Sequence, residues 1–270
     1  MTAPARIRLP ITQIDAFADA PFTGNPAAVM PLDAWLSDDV LLAIAGENNL
    51  SETAFLVPDT SGAADYELRW FTPAAEVALC GHATIASGHY LLARDSALVR
   101  VTFRTRQAGI LWVERDGDGY RMALPAWGPT PTPLPDIVAA IGAGPAIETL
   151  WFETGYALIV LDSADKVSAL KPDQRALAAL GKLVAVVTAP GDSTDVISRV
   201  FTPYYDIPED PVTGSAHAVM TPYWAKRLGR DSFTAYQASA RGGDVACRLD
   251  GDHVILGGRC VTVMEGVFLL

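Results

Sequence analysis

The sequence predicts an α+β protein built from two similar lobes, and three observations carry that reading. First, short β-branched and aromatic runs outnumber helical patterns along the chain. Second, an internal repeat spans it. Arg69-Trp70-Phe71-Thr72-Pro73 matches Arg199-Val200-Phe201-Thr202-Pro203 at an offset of 130, and Gly81-His82-Ala83 matches Gly214-Ser215-Ala216 at an offset of 133. The second offset also pairs Tyr90 with Tyr223 and Arg94 with Arg227, and a weaker match joins Thr23-Gly24-Asn25 to Thr154-Gly155-Tyr156. Third, four prolines fall within residues 128–135, between the two copies, where they make a linker rather than a strand or helix. The expected lobes are residues 1–126, completed by a last strand at about 260–270, and residues 127–259.

In chain order, strands are expected over 7–18, 53–57, 66–71, 98–105, 109–115 and 119–124, the last two joined by an Asp116-Gly117-Asp118 hairpin turn. Thr23-Gly24-Asn25-Pro26 should join two strands near the start. Beyond the linker come 150–152, 157–161, 184–188, 196–201, 245–249, 254–256 and 261–264. Ser37 is an N-cap for a helix whose first turn carries Asp38 and Asp39, and Gly46 with Asn48-Asn49 ends it. Further helices are expected at 84–94, 136–141, 173–180 (stopped by Gly181) and 216–228, where Pro222 should kink the helix or lie near its end.

Composition excludes several classes. With 270 residues of which 50% are hydrophobic, the chain can bury a large core, so it is not disordered. Lys and Arg number 20 against 31 Asp and Glu, a net charge of −11, which argues against nucleic acid or an anionic membrane as partner. No apolar run reaches the ~18 residues of a membrane span, and residues 1–10 lack the apolar core of a signal peptide. Three widely spaced cysteines, Cys80, Cys247 and Cys260, show no metal-ligand spacing, so a reduced, cytoplasmic protein without metal is expected. Glycine-rich phosphate loops and a Gly-x-Ser-x-Gly elbow are also absent, which leaves proton-transfer chemistry without a cofactor.

Each repeat ends a strand at Phe-Thr-Pro, and a loop, a glycine with a small or polar residue, and then an apolar helix follow. That puts free backbone N–H groups and a positive dipole end at the mouth of each lobe. Two such termini facing each other across a cleft suit a small anionic metabolite. His82 sits at the first terminus, where the dipole should keep its ring neutral and fit for acid–base work. Cys80 just ahead of it could be a thiolate or a small buried apolar residue. In the second repeat Asp210-Pro211-Val212-Thr213-Gly214-Ser215 can aim a carboxylate, a hydroxyl and N–H groups at one ligand. Glu47, at the C-terminal end of its helix, should have its pKa raised by the dipole and by burial, although position alone does not choose between Glu47 and Glu52. Asn25 could bond substrate or make the turn before Pro26.

Taken together, Ile14-Asp15-Ala16-Phe17, Phe22-Thr23-Gly24-Asn25-Pro26, Asn49-Leu50-Ser51-Glu52-Thr53, Phe71-Thr72-Pro73, Cys80-Gly81-His82-Ala83-Thr84 and Asp210-Pro211-Val212-Thr213-Gly214-Ser215-Ala216 resemble the phenazine-biosynthesis PhzF-like family. The resemblance runs from about Ile11 to the C-terminus. It implies the diaminopimelate epimerase-like fold, with each lobe a mixed sheet or barrel wrapped around a central helix, and a homodimer. It also implies a cofactor-independent isomerase of the trans-2,3-dihydro-3-hydroxyanthranilate type. Glu47 would shuttle the proton, His82 and Asp210 would polarise the ring and meet the amino group, and Ser215 with Gly81 and Gly214 would anchor the carboxylate. Asn25, Cys80 and Ala83 are further substrate-contact candidates. Pro211 stands about where a two-thiol epimerase would need its second thiol, which sets this sequence apart from that mechanism. The competing readings are an amino-acid racemase or epimerase and a metabolite-binding protein without turnover.

Overall fold

The computed structural model describes residues 7–270. The chain divides into two compact units. One comprises the chain up to Phe22, Pro26–Met122 and Arg259–Leu270; the other comprises Thr23–Asn25 and Ala123–Gly258. The elements in order are β1 (Arg8–Ala16), β2 (Asn25–Pro31), α1 (Asp38–Asn48), β3 (Glu52–Pro58), β4 (Tyr66–Phe71), β5 (Glu76–Val77), α2 (Gly81–Arg94), β6 (Arg100–Arg104), β7 (Ile110–Asp116) and β8 (Gly119–Pro125). There follow β9 (Thr130–Pro131), α3 (Pro135–Ile141), β10 (Glu148–Phe152), β11 (Tyr156–Val160), α4 (Ala164–Ser168), α5 (Gln174–Ala179), β12 (Val184–Pro190), β13 (Val196–Thr202), β14 (Ile207–Asp210), α6 (Gly214–Leu228), β15 (Ser232–Gln237), β16 (Gly243–Asp250), β17 (His253–Gly258) and β18 (Cys260–Leu269).

The duplication is visible in the pairing. In the first unit β2 runs parallel to β3, β3 antiparallel to β4, β4 antiparallel to the short β5 and parallel to β6, and β6 antiparallel to β7. The second unit repeats each step: β11 parallel to β12, β12 antiparallel to β13, β13 antiparallel to the short β14 and parallel to β15, and β15 antiparallel to β16. The last strand, β18, pairs antiparallel with β1 and so completes the first unit. In both copies one long helix follows the short strand. Helix α2 packs on β1, β3, β6, β7 and β18, and α6 on β11, β16 and β17. Strands thus surround a central helix, as the sequence led one to expect. The helices are buried accordingly: every residue of α2 from Gly81 to Gly88 is inaccessible, and nine residues of α6 are.

A polar pair is duplicated along with the strands. Arg69 on β4 forks onto Glu76 of β5 through Nε and Nη2, both at 2.8 Å. Arg199 on β13 does the same to Glu209 of β14, at 2.7 and 2.8 Å. Each guanidinium lies over the phenylalanine two residues on, Phe71 or Phe201, at 4.9 and 5.0 Å. A bidentate fork of this kind fixes geometry as well as charge, so the same device locks each short strand that leads to a helix terminus.

Some expectations need correction. Both central helices begin earlier than predicted, at Gly81 and Gly214, because the preceding Cys80 and Thr213 adopt extended N-cap backbone (φ −140° and −116°) without any side-chain cap to signal it. The proline-rich stretch is not plain linker: Thr130–Pro131 pairs with β10, and Pro135 opens α3, where a missing N–H costs nothing. Pro222 lies inside α6 and cannot donate to the Ala218 carbonyl four residues back. Trp127 N–H takes that carbonyl at 3.1 Å, so the helix continues with its backbone satisfied. Strand β15 and helix α4 were not foreseen; each is short with a weak periodic signal. Among the described residues, no helix is long and apolar enough to cross a membrane.

Candidate active site

In the first unit, α1 ends at Asn48, and Asn49 turns left-handed (φ 49°) to stop it. The Asn48 amide donates to Thr53 Oγ1 at 3.0 Å, which ties this end to the start of β3. Glu47 is therefore held one residue from the helix end, near the strand that carries Glu52. It is exposed, so the burial expected of it is absent. Glu52 is the half-buried carboxylate: its Oε2 lies 3.1 Å from His82 Nε2, with side chains 14% and 5% exposed. The other ring nitrogen, Nδ1, lies 3.5 Å from Cys80 Sγ.

These contacts change the electrostatics expected of His82. Burial opposes a charged ring, but Cys80 and Glu52 outweigh it and hold the pKa well above the ordinary histidine value. The helix dipole argument for a neutral ring fails here because a carboxylate at hydrogen-bond distance is a stronger influence than a helix end. Cys80 goes the other way. Burial first, and the nearby Glu52 charge second, push its thiol up to about 11, so it is a protonated, inaccessible thiol near neutrality. Glu52, Cys80 and His82 each offer a ligand atom within 4.8 Å of the others, a cluster that sequence spacing did not reveal. The carboxylate and the sulfur lie against opposite nitrogens of the ring.

Gly81, His82 and Ala83 form the first turn of α2, all buried. The first intrahelical bond is Thr84 N–H to the Cys80 carbonyl at 3.1 Å, so the three N–H groups before it have no acceptor within the helix ladder. In the second unit His217 N–H to the Thr213 carbonyl plays the same part, at 3.2 Å. Gly214, buried, and Ser215, half-buried, occupy that first turn.

The turn before α6 is held by a network of its own. Asp210 accepts from the Asn25 amide through Oδ1 at 2.9 Å and from the Thr213 hydroxyl through Oδ2 at 2.5 Å. Asn25 also donates to the Val212 carbonyl at 2.9 Å. The Gln237 amide donates to the Asp210 carbonyl at 2.7 Å and accepts from Thr213 N–H at 2.9 Å. Asn25 and Gln237 are fully buried. Asn25 was expected to make the turn before Pro26 or to bond substrate; its side-chain amide donates to Asp210 and to the Val212 carbonyl and so holds the Asp210 turn. Sequence reasoning missed Gln237 altogether and gave Thr213, quoted within its motif, no role of its own. Their only signal was the type of residue, since Gln237 lies on a strand 24 positions from its partner.

Residues 14–266 match the family model described as phenazine biosynthesis-like protein. The chain belongs to the PhzF-like family. Its relatives in that family include an uncharacterized isomerase of Pseudomonas aeruginosa, 47% identical over 98% of this chain and 100% of its own. A crystal structure of a PhzF family protein from Enterococcus faecalis is 41% identical, covers 98% of this chain and all of that one, and superposes with a TM-score of 0.90. A hydroxyproline epimerase from Agrobacterium vitis, 13% identical over 97% of this chain and 93% of that one, superposes with a TM-score of 0.60 and shares the fold alone. This chain and that epimerase thus share one architecture.

Proposed function

We propose that this PhzF-like protein is a cofactor-independent isomerase that moves a proton between carbons of a small amino- or hydroxy-carboxylate. The observation that carries the reading is the pair at the first turn of α2, half-buried Glu52 3.1 Å from buried His82, together with the exposed Glu47 one residue from the end of α1. Glu47 is accessible to a substrate and is the proton shuttle, abstracting from one carbon and returning the proton to another. In the first unit the first-turn N–H groups at Gly81 serve the charge that develops on proton removal, and in the second the first-turn N–H of Gly214 and the Ser215 hydroxyl suit a carboxylate. Asp210, aligned by Asn25 and Thr213, accepts from an amino or hydroxyl group. The name of the P. aeruginosa relative, an uncharacterized isomerase, supports an isomerase. A racemase using Cys80 as its acid is disfavoured by the buried thiol, whose pKa is pushed up to about 11. The reading includes a homodimer, which light scattering tests directly.

Proton NMR in deuterated buffer tests the chemistry. Trans-2,3-dihydro-3-hydroxyanthranilate, beside a panel of amino acids, would be given to the wild type and to Glu47→Gln. Loss of a carbon-bound proton signal with the wild type, reduced at least about 100-fold in Glu47→Gln, is expected for a general base. Exchange that persists undiminished in Glu47→Gln overturns Glu47 as the base.

A further inference from the structure

The last strand of the first unit, β18, has an unused edge. Ile7 and Leu270 exchange both backbone hydrogen bonds, each at 2.9 Å, and the register then sets Leu9 opposite Phe268, Ile11 opposite Gly266 and Gln13 opposite Met264. In an antiparallel ladder such hydrogen-bonded pairs alternate with residues whose backbone groups point the other way. The N–H and C=O groups of Glu265, Val267 and Leu269 are therefore directed away from β1, and among the described residues no second strand pairs with β18. The side chains around them are apolar and open to solvent: Met264, Val267, Leu269 and Leu270 are 42–47% exposed. Soluble proteins blunt an open edge with lysine, proline or a cover. This strand has neither residue, and its one charge, Glu265, is taken by Arg94 of α2 at 2.5 Å.

We infer that β18 pairs with β18 of a second copy of this chain, antiparallel about a two-fold axis, and that this pairing is the interface of the homodimer. The inference rests on the proposed function for the existence of a dimer and adds where the copies meet. A net charge of −11 makes two copies repel on approach, so a stable contact needs a patch poor in charge. The end of β18 is such a patch. It is also self-complementary: each copy offers the same N–H and C=O groups, and a two-fold axis matches them reciprocally. With Val267 opposite its own equivalent, each donates to and accepts from the other, and Glu265 stands opposite Leu269. An axis through Glu265 would set two like charges face to face, which disfavours that register. With its one charge already paired within the chain, the edge offers a foreign strand no charge to be selected by, whereas its own copy meets it group for group.

Sedimentation equilibrium over a range of protein concentration reads the dimer, and lysine substitutions read its interface. The wild type is expected to dimerise. Val267→Lys and Leu269→Lys should each raise the dissociation constant at least about 100-fold, because they set like charges close together across the axis. Ile110→Lys, at an apolar position 49% exposed on β7, should leave the dimer intact. Amide hydrogen exchange of the wild type gives a second readout. The N–H groups of Glu265, Val267 and Leu269 should exchange at least about tenfold faster once dilution yields monomer, while that of Phe268, which faces β1, should not change. A wild type that is monomeric at every concentration overturns the inference and leaves the edge to a foreign strand. Lysine variants that dimerise like the wild type overturn it, as do three amides that exchange equally fast in dimer and monomer. Circular dichroism checks that each variant folds, and if the lysine variants do not, the wild-type exchange decides. Neither measurement uses turnover, so an inactive protein defeats the proposed isomerase and leaves both readouts intact. A dimer insensitive to both lysines defeats the interface and leaves the homodimer standing.

Discussion

Asn25 shows how a turn residue can hold a second turn far away in the sequence. Its neighbours Gly24 and Pro26 mark it as a turn former, and the family resemblance marks it as a substrate contact. In the structure it is fully buried, and its amide joins Asp210 to the Val212 carbonyl. Removing it should act on the Asp210 turn before it acts on chemistry. Asn25→Ala leaves the Val212 carbonyl buried without that donor and releases one Asp210 oxygen, an expected loss of about 2–4 kcal/mol measured by urea unfolding. Glu47 and Glu52 make the complementary case. Five residues apart, they look alike in sequence, and only the fold sends one to solvent and the other to His82.

At the scale of elements, α2 is the part most constrained by its surroundings. Strands on several sides leave it no exposed face over its first eight residues, and the close approach is bought by small side chains. Gly88 is the extreme: a Cβ there would stand 2.3–2.9 Å from the Cβ and both methyls of Val113 on β7. Gly88→Ala should therefore destabilise by about 1–3 kcal/mol or more through overpacking, despite the better helix propensity of alanine. The check is the denaturant midpoint, with an unchanged m-value. Val113→Ala should rescue only in part, because the contact at 2.4 Å is with Val113 Cβ itself. In α6 the corresponding tension is resolved differently. Pro222 breaks the ladder, and the backbone of Trp127 repairs it.

For the whole molecule, acid stability follows from which titratable groups are buried. His217 on α6 is fully buried, donates from Nδ1 to the Thr213 carbonyl at 2.8 Å, and has its pKa pushed down to about 4 by burial. The unfolded chain takes up this proton near pH 6.5, and the native state only near pH 4. Stability from His217 is thus present above pH 6.5 and is lost as pH falls between those values, by roughly 3 kcal/mol in all. Carboxylates held low by arginines, such as Asp59 beside Arg104, lose their contribution only below about pH 4, in a separate window. Urea unfolding at pH 7 and pH 4.5 should show the wild type losing stability that His217→Asn does not lose, since the amide keeps a donor for Thr213 and cannot titrate in this range. By itself the sequence determined the duplicated architecture, most of the longer strands and helices in their order, the two central helices to within about three residues of their starts, and the family. These rest on alternation, turn chemistry and repeated motifs, which act within a few residues of one another. Tertiary structure alone decided that Glu52 pairs with His82, that Asn25 serves Asp210 from 185 residues away, and that Gln237 braces the same turn. Such partnerships depend on which faces meet when the strands close around each helix, and no local pattern records that.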